Sequence, residues 1–414
     1  MSIKFKSGLK NTVWDVMKDR GWSSWQEADD DLDWTFFWAD THWVHEIYDT
    51  VYLKENQRIN HFRNHYELTR KDLLVKNVKR MIKQVEKEHG KKESLKFEFV
   101  CQSFVLPQEH ALFQEEFKRN AGIWIMKPVG KAQGKGIFLI NKLSQIAGWK
   151  KDMRLKQIQP RNSITDEEAP EAYIVQRYIE NPYLIGGKKF DIRAYVLVTS
   201  YSPLVVYIHR NAFCRFSTSQ FSMDAKDISN LCTNSFNKDI HATNVAIQKT
   251  APNYDGDRGC KWLLRSLKSL LDSKHGTAAT EKLFLEMEAL IVKSLLSVQK
   301  IMINDKHCFE LYGYDILIDD NLKPWLLEVN ASPSLSAETE FDYNLKHAML
   351  NDCFDVVDME KMHPERSTRA KVGGFDLVYN DGPVKHDNAT NYISFLGCIN
   401  DVPVAPRYNK KNAA

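Results

Sequence analysis

The stretch Tyr312-Gly313-Tyr314-Asp315-Ile316-Leu317-Ile318-Asp319-Asp320-Asn321-Leu322-Lys323-Pro324-Trp325-Leu326-Leu327-Glu328-Val329-Asn330-Ala331-Ser332-Pro333-Ser334-Leu335 contains two apolar runs around the turn-forming Asp319-Asp320-Asn321. That pattern predicts a β-hairpin. With the turn centred between Asn321 and Leu322, Asp315 falls opposite Glu328, their Cβ atoms roughly 4.5–5.5 Å apart. Asn330, two residues beyond Glu328, shares its face. Two facing carboxylates repel, so the pair calls for a cation, and three hard oxygen donors suit magnesium held together with substrate phosphates. The alternative is a surface hairpin with both acids in water; Asn330-Ala331-Ser332-Pro333 after the strand favours a shaped loop instead.

Working outward, Lys189-Phe190-Asp191-Ile192-Arg193 reads as a strand with Lys189, Asp191 and Arg193 on one face and Phe190, Ile192, Ala194 and Val196 on the other. A two-residue return at Tyr201-Ser202 would set Arg210 across from Arg193. Like charges there are unfavourable unless an anion lies between them, and arginine suits forked contacts to phosphate or carboxylate. Pairing of these arginines with Asp191 and other acids of the sheet is the competing arrangement.

Trp124-Ile125-Met126-Lys127-Pro128 leads into a segment with Gly130, Lys131, Gln133, Gly134, Lys135 and Gly136, then the strand Gly136 to Ile140. Glycines that allow close backbone approach, beside lysines, have the chemistry of a flap over phosphates, although the segment lacks the Gly-Lys-Ser/Thr ending of a Walker loop. Gln176-Arg177-Tyr178-Ile179, at the end of a buried strand, offers backbone groups to an adenine edge, though most such strands are simply core. Thr243 and Asn244 are neutral donors suited to a phosphate; the neighbouring His241 reads as structural.

The chain has 414 residues and a formal net charge of +3, which excludes wholesale attraction to nucleic acid or anionic membrane and leaves local patches to do electrostatic work. Its seven cysteines are scattered, with no Cys-x-x-Cys pair, and read as reduced thiols of an intracellular protein without a zinc site. Neither a signal core nor a membrane-length apolar run is present. Thr69 and Asp72 resemble a capping box opening a helix with Leu74, Val78, Met81, Ile82 and Val85 on its apolar stripe. Between Arg70 and Lys92 nine lysines and arginines face three acids, so the helix back is either a solvated surface or a landing site for an acidic polymer. Lys150 to Ala172 and Ser217 to Asp239 read as loops. Helical periodicity returns from Lys261 to Lys300, a further helix starts near Phe341, and the tail beyond Lys371 is extended.

Taken together, Lys127 with the loop to Gly136, Gln176 to Ile179, Lys189 to Arg193, Thr243-Asn244, Asp315 and Glu328-Val329-Asn330 resemble the tubulin tyrosine ligase-like family, a branch of the ATP-grasp fold. The likeness runs from Phe5 to about Asp401. His61 to Lys71, Asn181 to Gly187 and Val372 to Leu377 are similar to its ciliary glutamylase branch. Departures are Ala242, where the family usually has Leu, and Asn211-Ala212-Phe213 in place of a Gly-containing turn.

The resemblance implies an α+β, ATP-grasp-like fold, with antiparallel sheets of a central and a C-terminal lobe sandwiching ATP, plus a smaller N-terminal lobe. Its divisions would be 1–95, with a tubulin-contacting surface; 96–180, carrying the flap; 181–400, carrying the metal site; and 401–414, a disordered tail. It further implies ATP and Mg2+ as cofactors. Lys127, Gln133, Gly134, Gly136, Gln176, Arg177, Tyr178, Ile179, Lys189, Asp191, Arg193, Thr243 and Asn244 would hold nucleotide, and Asp315, Glu328 and Asn330 metal. Arg193, Arg210 and Glu328 would be catalytic. The implied activity is ligation of free glutamate to glutamate side chains of tubulin tails through an acyl-phosphate, with accessory subunits as possible partners. Cytoplasm, cytoskeleton, and the axoneme and basal body of cilium or flagellum are the implied locations. Lys346 is a candidate for holding an acidic substrate. A ligase of this family using glycine or tyrosine, a small-molecule ATP-grasp ligase and a noncatalytic axonemal protein of the same fold are the competing readings. A protein kinase is excluded by the missing His-Arg-Asp and Asp-Phe-Gly elements.

Overall fold

Three sheets carry the chain in the computed structural model, which describes residues 3–131, 136–146, 172–223, 261–337, 339–362, 369–384, 394–398 and 405. The first joins β1 (Lys4–Ser7), β2 (Ser23–Ser24), β3 (Phe36–Trp38) and β4 (Arg58–Ile59), all parallel, in the order β2-β1-β3-β4. Strands this short carry no legible alternation, which is why the Trp-rich amino-terminal sequence gave no hint of a sheet. The helix α1 (Thr12–Asp19) packs Val13, Val16 and Met17 beside Phe5 and Phe36. β4 also reaches the third sheet: Ile59 N–H donates to His307 O at 2.8 Å and Phe309 N–H to Ile59 O at 3.2 Å.

The amphipathic helix α2 (Lys71–His89) buries Leu74, Val75, Val78 and Val85. The expected capping box does not form. Thr69 ends a separate helical turn, Tyr66–Thr69, its hydroxyl donating to His65 O at 3.2 Å, and Arg70 occupies the N-cap without a side-chain cap. The basic back is divided. Lys71 meets Glu328, Lys79 donates to Glu109 and Arg80 to Ser297 O, while Lys76, Lys83 and Lys87 are exposed.

The second sheet, β5 (Ser103–Leu106), β6 (Trp124–Pro128), β7 (Phe138–Ile140) and β8 (Tyr173–Arg177), is antiparallel in the order β5-β8-β6-β7. The helix α3 (His110–Arg119) sets Phe113 and Phe117 against Leu106, Trp124, Met126 and Val175 on one face. Period-two alternation therefore sends Lys127 and Gln176 to the other.

Nine antiparallel strands make the third sheet: β9 (Leu184–Ile185), β10 (Lys188–Tyr201), β11 (Leu204–His209), β12 (Phe213–Phe216), β13 (Lys261–Leu263), β14 (Glu310–Ile318), β15 (Pro324–Asn330), β16 (Lys371–Val372) and β17 (Phe375–Asn380). β10 pairs with β9, β11, β12 and β14. Its even-numbered residues from Phe190 to Val198 enter a core with α4 (Leu264–His275) and α5 (Thr277–Gln299). The odd-numbered face is divided along its length. Tyr195 and Leu197 pack with Leu345, Met349 and Phe354 of α6 (Glu340–Val357), whereas Lys189, Asp191 and Arg193 lie beyond that apolar contact. The mixture of helices and antiparallel sheets is the expected α+β, ATP-grasp-like class.

The decisive hairpin is β14–β15, and Asp315 does lie opposite Glu328. The turn, however, is centred on Asn321, since Ile318 pairs with Pro324 and Ile316 with Leu326. A β-bulge at Leu327 restores the expected partner. It also puts Leu326 and Val329, three residues apart, into the same core, which an unbroken strand could not do. Deleting Leu327 should therefore leave Asp315 opposite Glu328 in a regular ladder and retain ATP binding. Deleting Val329 should turn Asn330 to the core face and abolish it. Calorimetric titration of ATP into the two proteins checks both outcomes.

Candidate active site

Register brings the charges into one row across the third sheet. Arg215 of β12 is the cross-strand partner of Asp191 of β10, Arg193 of β10 that of Asp315 of β14, and Asp315 that of Glu328 of β15. Arg215 donates through Nε to Asp191 Oδ1 at 2.8 Å and through Nη2 to both Asp191 and, at 2.8 Å, Asp315 Oδ2. Arg193 forks onto Asp315 through Nε and Nη2. All four side chains are buried. Burial alone would push the Asp315 carboxyl up, but Arg193 and Arg215 outweigh it and hold the group well below the usual carboxylate range.

This row corrects the expected arginine pair. β11 ends before Arg210, Arg193 has Phe213 and Asp315 as its Cα partners, and Arg210 forks onto Asp376 of β17 at 2.6 Å for both contacts. The Val196–Ile208 register of β10 and β11, one step from the predicted one, accounts for the error. The companion of Arg193 is Arg215. Sequence reading missed it because Phe213-Cys214-Arg215-Phe216 is too short to show alternation.

Lysines enter from three directions. Lys127 Nζ donates to Gln176 Oε1 at 2.7 Å from the second sheet, and Lys189 Nζ to Tyr178 Oη at 3.2 Å from the third. Lys71, the first residue of α2, reaches Glu328 Oε2 at 3.3 Å; no motif marked it. Burial lowers the Lys127 and Lys189 ammonium groups to about 8, and for Lys189 the nearby Lys127 adds to the effect. Phosphate oxygens beside them would raise both again.

Gly136, at φ +72°, sits where a Cβ would come within 2.9 Å of the Pro128 ring, so both its backbone conformation and its space call for glycine. Gln133, Gly134, Thr243 and Asn244 lie outside the described residues. Arg177 points away from Gln176: its Nη1 donates to Asn120 O and Ala121 O, and its guanidinium stacks over Trp124. Arg177, Tyr178 and Ile179 border a cavity of about 630 Å³, walled also by Val75 and Val78 of α2 and by Trp325. Lys346 is buried, donating to Ser336 O at 2.6 Å and pairing with Asp342, which Lys261 also approaches at 2.9 Å.

The donor set fits a hard cation. Asp315 is ionised, Glu328 faces it across the strands, and Asn330 sits opposite Gly313 with Nδ2 donating to Gly313 O at 3.2 Å. Among the described residues no three His, Cys, Asp or Glu side chains converge on a metal position. Two carboxylates and an amide thus suit an ion whose remaining ligands are phosphate and water.

A sheet face bearing alternating arginines and carboxylates with Lys189 beside them, met by Lys127 of the second sheet, has the chemistry of an ATP-grasp-like ligase site. Residues 51–365 match the model of the tubulin-tyrosine ligase family, and the chain belongs to that family. It is 49% identical to the "Probable tubulin polyglutamylase TTLL9" of Bos taurus, over 97% of this chain and 90% of that protein. To the "Probable tubulin polyglutamylase ttll-9" of Caenorhabditis elegans it is 48% identical, over 92% of this chain and 86% of that protein. The "Probable alpha-tubulin polyglutamylase Ttll1" of Tetrahymena thermophila is 44% identical, over 92% and 94% respectively.

If Lys127 and Lys189 hold nucleotide, their lowered values predict pH-dependent binding. Both are charged below about 7, and binding an anion raises them, so affinity is level there and falls as pH climbs through 8, by up to roughly tenfold per unit for each lysine. Titration of ATP between pH 6.5 and 9.5 checks this; a flat profile would show that neither ammonium meets the nucleotide.

Proposed function

We propose that the chain is a tubulin polyglutamylase that joins free glutamate to glutamate side chains of tubulin carboxy-terminal tails, using ATP and Mg2+. It works at cytoskeletal microtubules, including the axoneme and basal body of the cilium. The observation that carries the reading is the Arg215–Asp191–Arg193–Asp315–Glu328 row, with Lys189 on the same face and Lys127 entering from the second sheet. The names of the polyglutamylases to which it is 44–49% identical support the substrate.

In this reaction an oxygen of the acceptor carboxylate attacks the γ-phosphorus of ATP, the bond to the β-γ bridging oxygen breaks, and ADP leaves. The amino group of free glutamate, having lost a proton, then adds to the acyl carbon, and phosphate departs as the amide forms. Mg2+, when bound by Asp315, Glu328 and Asn330, would supply neutralising charge to the phosphates. Lys127 and Lys189 orient the nucleotide, and Gln176 fixes the Lys127 ammonium. Arg193 and Arg215 are preorganised by Asp315 and Asp191, so they meet charge developing on the transferring phosphoryl group without reorganising. Arg210 is committed to Asp376 and is given no part in these steps.

The charge row is costly to bury, and a site that must meet a phosphoryl group gives that cost a function, which favours the catalytic reading over the noncatalytic one. Labelled glutamate should enter tubulin only with ATP and Mg2+, with any accessory subunits supplied; incorporation of glycine or tyrosine instead would reassign the donor. Glu328→Gln should abolish incorporation, yet change stability by less than about 1 kcal/mol because that side chain is partly exposed. Asp315→Ala should also abolish it and cost about 3–5 kcal/mol, because the buried Arg193 loses its counter-ion and Arg215 one of its two. Urea unfolding separates the two effects, and undiminished activity of Glu328→Gln would remove the metal assignment.

A further inference from the structure

A second buried charge system lies behind the metal strand. Glu310, at the start of β14, and His61, just past β4, are 0% and 1% exposed, and their Oε1 and Nδ1 are 2.6 Å apart. Glu310 Oε2 also accepts the Phe62 N–H at 2.8 Å. The tautomer follows from Asn60, whose Oδ1 accepts the Ala39 N–H at 2.7 Å, so its amide nitrogen faces His61 Nε2 at 3.1 Å. Nε2 is therefore the acceptor, and Nδ1 carries the proton given to Glu310.

The second group at Nε2 is the Ser332 hydroxyl, at 3.4 Å. Ser332 is exposed and stands two residues beyond Asn330. The loop it belongs to is held at three points. Asn330 donates to Gly313 O, Ser332 reaches His61, and Pro333 lies so close over Gly313 that a Cβ there would fall within 2.8 Å of it and 3.2 Å of the Arg193 side chain. Burying a carboxylate and an imidazole is less favourable than burying apolar side chains of equal volume, and the only exposed group the pair orients among those it touches is Ser332.

We propose that His61, fixed by Glu310, is a positioning residue for the nucleotide site: it holds Ser332, and through Ser332 the backbone that presents Asn330 to the cation. This rests on the metal assignment made above. The chain of contacts runs from the amino-terminal segment to the metal strand, so the first sheet takes part in setting the ligand geometry of the third.

Calorimetric titration of ATP, in excess Mg2+ and separately in excess EDTA, tests it. Ser332→Ala changes an exposed residue, so thermal midpoint and metal-free ATP affinity should match the parent, while the gain in affinity that Mg2+ confers should shrink roughly fivefold, the size of one net hydrogen bond. Ser332→Thr, which keeps the hydroxyl, should recover the gain. His61→Asn, which keeps a donor to Glu310 and loses Nε2, should show the same loss, and the double variant should be no worse than the poorer single one. An unaltered Mg2+ gain in Ser332→Ala, equal weakening with and without Mg2+, or losses that multiply in the double variant would each overturn the proposal. A parent protein that binds ATP with no gain from Mg2+ overturns the metal assignment as well, and one that binds no ATP overturns the function.

Discussion

Arg193 stands across from Asp315 in the middle of a nine-stranded sheet, and the need to keep these two buried charges in register constrains everything around them. Charges so far from water are tolerable only when matched, and side chains on a strand change faces with every residue, so a slip by one position would leave guanidinium and carboxylate on opposite sides. The apolar alternate face of β10, packed against two helices, holds that register. Because β10 pairs with four other strands, fixing it fixes β12 with Arg215 and β14 with Asp315, and the latter in turn fixes Glu328 on β15. Lys71, Lys127, Lys189, Arg193 and Arg215 then face three carboxylates, Asp191, Asp315 and Glu328. The surplus of positive charge is what an anionic substrate meets.

Where an element was long and periodic, its sequence was readable. β10, β11 and the β14–β15 hairpin have enough residues for alternation to declare a face, and the facing of Asp315 and Glu328 followed from it. Yet that contact rests on a bulge at Leu327 that no local signal announces, so a turn placed half a residue away and a regular ladder led to the same partner. The Arg193–Arg210 pairing failed for the opposite reason. A one-step difference in the β10–β11 register is invisible in sequence, and Arg210 has its own carboxylate in Asp376, more than a hundred residues later in the chain. Arg215 and Lys71 were hidden because a four-residue strand and a helix start carry little pattern. The parallel first sheet, with strands of two to four residues, was hidden likewise.

Electrostatics is arranged differently in two sets of groups. Arginines and aspartates on the third sheet neutralise one another and are rigid, whereas Lys127 of the second sheet and Lys189 of the third donate to the neutral Gln176 and Tyr178 and give up their protons more readily. One set is thus fixed in charge, and the other answers to the occupant.

The seam at Ile59 bears on how far the protein can be shortened. Ile59 is bonded on both sides to His307 and Phe309, and the next residues present an amide N–H and an imidazole to Glu310. A chain cut to begin after His65 would retain every strand of the second and third sheets, yet Glu310 would lose both of its partners, and Phe309 would lose its ladder contact. The amino-terminal segment is hydrogen-bonded into the approach to β14 rather than being a detachable module, so trimming it in search of a minimal ligase removes part of the core.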